Sequence, residues 1–265
     1  TGKEASTTSE VKDKSSKHMN PFQKFVKMLS DIFVPIIPAI VAGGLLMGLN
    51  NIFTAKDLFY DGKSIIDVHS QFSGLADMIN IFANAPFTLL PILIGFSAAK
   101  RFGGNPYLGA ALGMILVHPG LMSAYDFPKA LEEGKAIPHW DVFGLHINEV
   151  GYQGQVLPML VATYILATIE KWLRKVIPTV LDNLLTPLLS IFITAFITFL
   201  FVGPVTRQLG YWLSDGLTWL YEFGGAIGGL IFGLLYAPIV ITGMHHSFIA
   251  VETTLIADAT KTCGS

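Results

Sequence analysis

The sequence predicts an all-α membrane protein, a multi-span helical bundle in which some helices are broken or re-entrant. Two observations predict this class. Only 14% of the 265 residues are charged and 52% are apolar, whereas an average soluble domain is about 25% charged. The charges also leave long gaps, since no Asp, Glu, Lys or Arg lies between Glu222 and Glu252. Such gaps suit lipid, where a spanning helix needs about 20 mostly apolar residues.

Six spans are predicted, and each is an apolar run bounded by charges or turn residues. They cover residues 32–49, 75–99, 106–122, 151–169, 184–205 and 223–242. The first follows an amphipathic start, and the third is barely long enough to cross. Proline and glycine interrupt the first two, which membrane helices tolerate because neighbouring groups satisfy the freed backbone. The interruptions are expected at Pro35, Pro38, Gly43, Gly44, Pro86 and Pro91.

The connections are predicted from their polarity. Residues 50–73 are expected to form a mixed polar loop, and residues 123–149 an ordered loop or hairpin outside the membrane. Residues 208–222 carry an apolar stripe at helical spacing, which predicts a helix lying in the interface. The segment 247–256 is apolar but too short to cross alone.

Basic residues predict the orientation, because cytoplasmic loops collect Lys and Arg. With the N-terminus inside, the inward segments 1–27, 100–101 and 171–175 hold 11 of the 17 Lys and Arg residues. We therefore expect a multi-pass protein with a cytoplasmic N-terminus. The net charge of −2 provides no basic field for nucleic acid. The single cysteine, Cys263, cannot form an internal disulfide, and we expect it to be a spectator.

His245 and His246 lie within the charge-free region, shortly after the last predicted span. Ionisable groups at membrane depth are costly, face a protein interior or watery cavity, and often mark a transport pathway. One histidine could instead cap the helix or bond a carbonyl. A neutral imidazole offers one donor and one acceptor, so at least one is predicted to bind a hydroxylated substrate or assist proton transfer. Adjacent side chains diverge on a helix, so the histidine pair is not predicted to bind a metal. No cofactor is predicted.

The segment 151–158 (GYQGQVLP) is the second candidate site. Tyr152, Gln153 and Gln155 bring a phenol and two amides to the start of an apolar helix. Such groups suit sugar hydroxyls, and an aromatic ring can stack on a sugar face. The alternative is two glutamines at a solvated helix start.

Two asparagines and several acids complete the candidates. Asn84 lies just before Pro86, where a broken helix could place an amide at the membrane midplane. Asn105 follows two glycines and precedes Pro106, in a segment that is either a tight turn or a phosphate cradle. Most of the acids nearest apolar runs are expected to be helix-end or interfacial charges, with Glu252 as the best exception, a weak catalytic candidate. They are Asp31, Asp77, Glu170 and Glu252.

Four segments resemble the membrane-embedded IIC domain of the sugar phosphotransferase system, in the sucrose/trehalose branch of its glucose superfamily. They are 33–46 (FVPIIPAIVAGGLL), 100–106 (KRFGGNP), 151–158 (GYQGQVLP) and 239–248 (IVITGMHHSF). The resemblance implies a homodimeric permease of a bacterial inner membrane that binds a disaccharide and moves it by an elevator step. Phosphorylation on the 6-hydroxyl would come from a IIB domain charged through IIA, with His245 as a proton acceptor or orienting group. The chain would not be catalytic alone.

The resemblance also predicts the domain limits. Residues 1–19 would be a flexible linker following a IIB domain, and residues 20–265 the N-terminal two thirds of the IIC domain. Glucose-type relatives carry an arginine where this chain has Ala237, so that sugar contact is not transferred. Their sugar-binding Gly-Ile-Thr/Ser-Glu-Pro motif is expected beyond residue 265.

Sucrose is favoured over trehalose on the general resemblance of the spans. Two other functional classes stay open on the residues alone. One is a proton-coupled sugar transporter in which the histidines relay protons, and the other is a membrane sugar sensor.

Overall fold

The computed structural model describes residues 20–142, 144–210 and 212. Within them, α-helices form most of the structure: α1 (Pro21–Phe33), α2 (Ile37–Thr54), α3 (Ile65–Val68), α4 (Ser73–Thr88), α5 (Leu90–Phe102), α6 (Pro106–Leu116), α7 (Phe127–Glu132), α8 (Leu157–Val176) and α9 (Thr179–Ile197). A 3₁₀ turn at Ser70–Phe72 precedes α4, and a π-helical segment at Thr198–Val202 continues α9. The all-α prediction is confirmed.

Three helical segments in the described residues are long and apolar enough to cross a membrane. They are Ile37–Thr54, Ser70–Phe102 and Thr179–Gly210. These segments contain the cores of the predicted first, second and fifth spans. The predicted sixth span, the interfacial helix at 208–222 apart from its first residues, and the segment at 247–256 lie outside the described residues.

The first span is broken only at its prolines. A turn at residues 34–36 separates α1 from α2, and Pro38 occupies the first turn of α2, where its missing N–H costs no helical hydrogen bond. The expected interruption at Gly43 and Gly44 is wrong, because α2 continues through both to Thr54. Glycine lowers helix propensity without removing a backbone donor, so packing against α4 can hold the helix together.

The second span breaks between its two prolines. α4 includes Pro86 and ends at Thr88, and α5 begins at Leu90 with Pro91 in its first turn.

The predicted third span is wrong in length, since α6 stops at Leu116 after 11 residues. At 1.5 Å per residue this helix is only about 16 Å long, so it cannot cross a bilayer alone.

The predicted start of the fourth span is also wrong. Residues 151–156 are not helical, and α8 begins at Leu157. The last two turns of this helix carry four charged residues, so the helix is not among the three candidate spans. The charged residues are Glu170, Lys171, Arg174 and Lys175.

The segment 123–149 contains α7 and a hairpin, which confirms the ordered structure predicted there. Strand β1 (His139–Val142) pairs antiparallel with β2 (Leu145–Asn148). The segment 50–73 is not a simple loop, because α2 extends into it and α3 and the 3₁₀ turn follow.

The described core lies where α5, α6 and α8 meet. α5 and α6 lie so close together that a Cβ added to Gly109 would be 2.1 Å from the carbonyl oxygen of Gly95. Ile94, Leu112 and Met159 fill the buried space beside this contact. Small residues that let helix backbones approach closely are the usual interface of membrane helices.

Candidate functional site

A buried loop between the hairpin and α8 forms the first part of the candidate site. Residues 151–154 are all buried. A tight turn closes the loop: the N–H of Gln155 donates to the carbonyl of Tyr152 at 3.1 Å, with Gly154 at a φ of +69°. A positive φ at the third residue of a turn favours glycine. The GYQGQ spacing therefore encodes a turn ahead of the helix.

The loop is hydrogen-bonded on both sides. The N–H of Tyr152 donates to the carbonyl of Leu116 at 2.8 Å, and that of Gly154 to the carbonyl of Thr88 at 3.3 Å. Leu116 ends α6, and Thr88 ends α4 at the break before α5. Because helix ends leave carbonyls without intrahelical partners, the loop satisfies groups that the broken helices expose.

Tyr125 adds a second contact at this break. Its side chain is hydrogen-bonded to Thr88, and burial raises the pKa of the phenol above its usual value, although the Thr88 bond opposes this shift. The phenol therefore stays neutral at physiological pH. The buried loop and the break between α4 and α5 together place polar groups beside an interrupted helix. Membrane transporters use this arrangement for substrate sites.

Tyr152 is buried at the base of the loop. Its ring lies 5.9 Å from the ring of Phe199, and the guanidinium of Arg207 lies 5.4 Å from its ring centroid. The phenol oxygen approaches Gly203 so closely that a Cβ there would overlap it. The ring is thus enclosed by the π-helical segment and the residues that follow it, and it is not open for a sugar to stack on.

The two glutamines of the loop have different surroundings. The Oε1 of Gln153 accepts from the N–H of Ala124 at 2.9 Å, and the side chain is 7% exposed. Gln155 is only partly buried, and its side chain makes no hydrogen bond to any residue that the structure describes. Gln153 therefore positions the loop, and Gln155 is the amide with donor and acceptor groups left for a ligand.

Asn84 lies near the same break, one helical turn before Thr88. Its Nδ2 donates to the carbonyl of Asn80 at 3.0 Å and to the Oδ1 of Asn80 at 2.6 Å. Two amides are therefore coupled on one face of α4. The structure places this pair and the loop beside one helix break, and ligand contact by Asn84 stays a prediction.

Asn105 lies elsewhere. Its Oδ1 accepts from the N–H of Tyr107 at 2.9 Å and caps α6. The residue follows the end of α5, about 18 Å along that helix from the break at Leu89. The tight-turn interpretation of 103–106 is confirmed, since Gly103 ends α5 in the left-handed region. Among the candidates that the structure describes, Asn105 is not brought together with the others.

Glu170 is a residue that the sequence analysis misjudged. It is 2% exposed, so it is a buried exception to the expectation that most of these acids are helix-end or interfacial charges. One oxygen accepts from the N–H of Asn105 at 2.8 Å, and the other pairs with Arg174 at 2.8 Å. Asp31 and Asp77 are exposed, as expected, and Asp31 pairs with Arg101 at 2.9 Å.

A cleft of about 560 Å³ opens beside Glu170. It is lined by residues 103–107, Glu170, Lys171 and Arg174, and the Nζ of Lys171 donates to the carbonyl of Phe102. The basic segments 100–101 and 171–175 therefore meet at one end of α5 and α8. The buried loop and the hairpin lie at the opposite end of these helices.

α9 carries a buried polar stripe that the sequence analysis did not single out. Thr186, Ser190, Thr194 and Thr198 recur every fourth residue and are all fully or almost fully buried. The hydroxyls of Ser190 and Thr194 have no partner among the described residues. The four-residue spacing was the available signal, since it places all these side chains on one helix face.

His245, His246 and Glu252 lie outside the described residues. Their proposed roles stay predictions, and the site can be built only from its loop, its helix break and the neighbouring amides.

Comparison with known proteins shows the family to which the chain belongs. The family model described as "Phosphotransferase system, EIIC" matches residues 30–264. A "PTS system sucrose-specific EIIBC component" of Staphylococcus xylosus is 84% identical over the whole chain, and one of Vibrio alginolyticus is 59% identical. A "PTS system trehalose-specific EIIBC component" of Bacillus subtilis is 50% identical over 97% of the chain.

The chain spans about half the length of these relatives, 55%, 55% and 54% respectively. No solved structure matches it significantly. The family match nevertheless covers nearly all of the sequence, including each of the four segments on which the resemblance was based. The chain belongs to the EIIC family of the phosphotransferase system.

Proposed function

We propose that this chain is the membrane permease part of a sucrose phosphotransferase system, which binds the disaccharide and presents it for phosphorylation by a IIB domain. The observation that carries the proposal is the 84% identity, over the whole chain, to a protein named as sucrose-specific. Relatives named EIIBC and EIIBCA support IIB and IIA partners. Trehalose is the second candidate substrate because a 50% identical relative is named for it.

The arrangement of polar groups suits this function. A disaccharide presents many hydroxyls, and amides offer both donors and acceptors to them. Gln155, the Asn80–Asn84 pair and the Thr88–Tyr125 contact all lie at one interrupted helix. We propose that the sugar binds beside this break, with His245 and His246 completing the site and His245 orienting the 6-hydroxyl or accepting its proton.

The distribution of charge supports an orientation. The basic residues at the end of α5 and α8 form one pole of the described bundle, and the hairpin lies at the other. Because cytoplasmic regions collect Lys and Arg, we propose that the basic pole and the N-terminus face the cytoplasm of a bacterial inner membrane. The hairpin would then face outward, and we propose that the protein acts as a homodimer.

Phosphoryl transfer in isolated membranes tests the proposed activity. Membranes containing the full-length protein, supplied with its phosphorylated coupling partners, should convert sucrose to sucrose 6-phosphate faster than they phosphorylate trehalose. His245→Ala should lower this rate greatly. Faster phosphorylation of trehalose would reverse the substrate assignment, and an unchanged rate in the variant would remove the role of His245.

A matched pair of glutamine variants tests the site. Gln155→Ala should raise the KM for sucrose by up to about tenfold, the equivalent of one lost hydrogen bond, with the Tm unchanged. Gln153→Ala should instead lower the free energy of unfolding by about 1–2 kcal/mol, because the N–H of Ala124 loses its acceptor. Thermal unfolding and initial uptake rates separate the two effects. An unchanged KM in folded Gln155→Ala would contradict a sugar contact there.

A further inference from the structure

The β1–β2 hairpin separates its side chains by chemistry. Its register pairs Trp140 with Ile147 and Asp141 with His146. Because side chains alternate across a strand, the apolar residues share one face. Trp140 packs there with its ring 5.4 Å from that of Phe199, and Ile147 is 4% exposed. This face docks the hairpin on the bundle and leaves the other face to solvent.

The solvent face carries three metal-ligating side chains. His139 and Asp141 are two residues apart on β1, and His146 is directly opposite Asp141 on β2. One ligand atom from each of the three lies within 4.8 Å of the others. The Nε2 of His139 is 3.8 Å from an oxygen of Asp141, and the Nδ1 of His146 contacts the other oxygen. The three groups converge on one point above the sheet.

A hydrogen bond outside this trio orients His139. Its Nδ1 lies 3.2 Å from the carbonyl oxygen of Ile137. A carbonyl can only accept, so in a neutral ring Nδ1 carries the hydrogen and Nε2 presents its lone pair toward Asp141. Metal-binding histidines usually donate their second ring N–H to a carbonyl or carboxylate in this way. The outer contact expected of a ligand is therefore already formed.

From this geometry we propose that His139, Asp141 and His146 bind a divalent transition metal, with Zn²⁺ as the best match. Zn²⁺ takes imidazole nitrogen and carboxylate oxygen at about 2.0–2.2 Å in tetrahedral sites. Neighbouring ligand atoms then lie about 3.3–3.6 Å apart, and those of the trio lie within 4.8 Å of one another. Three protein ligands leave the fourth position to water. The metal would link β1 to β2 and stabilise the pairing of the two strands.

Metal binding at the hairpin is independent of the sugar that the protein binds, and the sequence alone predicted no metal site. The histidine-x-aspartate spacing in β1 was visible there, but the position of His146 depends on the hairpin register. A mixed set of two imidazoles and one carboxylate also differs from an acidic cluster, which favours hard cations such as Ca²⁺.

Zn²⁺ titration of the purified full-length protein, with any histidine tag removed, tests the site. Calorimetry should detect a Zn²⁺ site in the wild type whose affinity falls at least about tenfold in Asp141→Ala and more in the double variant His139→Ala/His146→Ala. His69→Ala, which removes an exposed histidine bonded to Tyr60, should leave this affinity unchanged. Far-UV circular dichroism of each variant establishes that it is folded.

Co²⁺ provides an independent readout, because its visible absorption reports the coordination geometry. Wild type and His69→Ala should show intense tetrahedral bands, and the double variant should lose them. The proposal is overturned if the wild type takes up no Zn²⁺. It is equally overturned if the folded double variant keeps the wild-type affinity and Co²⁺ spectrum.

Discussion

Gly109→Ala should prevent α5 and α6 from reaching their native separation. The added Cβ would lie 2.1 Å from the carbonyl oxygen of Gly95 and 2.7 Å from the Cβ of Ala99. Neither obstacle is a flexible side chain, so the helices themselves must move. Overpacking a core costs about 1–3 kcal/mol and occasionally more, and we expect a loss of at least about 3 kcal/mol here. Thermal unfolding of detergent-solubilised protein, followed by size-exclusion chromatography, measures it.

Gly48→Ala is the matched control. It makes the same chemical change inside α2, where an added Cβ meets nothing described within 4 Å. Its effect should be neutral or slightly stabilising, because alanine favours helix by about 1 kcal/mol over glycine. Gly95→Ala should behave like Gly109→Ala, since its Cβ would lie 2.2 Å from the carbonyl oxygen of Gly109. Equal Tm values for Gly109→Ala and Gly48→Ala would contradict the close contact.

Glu170→Ala should have the second large effect. The buried carboxylate joins the start of α6 to α8 by accepting from the N–H of Asn105, and it also pairs with the guanidinium of Arg174 one turn further along α8. Hydrogen bonds to charged groups contribute about 1.5–3 kcal/mol each. Arg174 is half exposed, so in the variant its guanidinium can hydrogen-bond to water in place of the lost carboxylate. We therefore expect a total loss of about 2–3 kcal/mol in the free energy of unfolding.

Two further variants separate charge from hydrogen bonding at this position. Glu170→Gln keeps an acceptor for the N–H of Asn105 but loses the ion pair, so its Tm should lie between those of the wild type and Glu170→Ala. Glu133→Ala removes an exposed ion pair with Lys135 and should change stability by less than about 1 kcal/mol. If Glu170→Ala were as stable as Glu133→Ala, Glu170 would not join these helices.

Much of the helical layout could be predicted from the sequence because the signal is local. Apolar runs between charges located the three candidate spans, and the paired prolines located the break in the second. The errors have physical causes. The third span was too long because α6 ends where the carbonyl of Leu116 accepts from the distant Tyr152. The fourth began too early because the segment from Gly151 forms a turn.

The site was less predictable because its geometry depends on residues far apart in sequence. Gln153 and Gln155 look equivalent in the sequence, and only the contact with Ala124, 29 residues away, distinguishes them. Glu170 resembles an interfacial charge until α6 docks on it from 65 residues away. The convergence of His139, Asp141 and His146 could be recognised only from the register of the hairpin strands. Residue types could be recognised from the sequence, but burial and convergence required the tertiary contacts.

The chemical form of the sugar that enters cells tests the central claim most directly. Cells producing the full-length protein and its coupling partners should be given radiolabelled sucrose, with and without an uncoupler. We predict that the label is recovered inside as sucrose 6-phosphate and that the uncoupler does not collapse its accumulation. Recovery of free sucrose whose accumulation collapses with the uncoupler would contradict a phosphotransferase permease and favour proton-coupled transport.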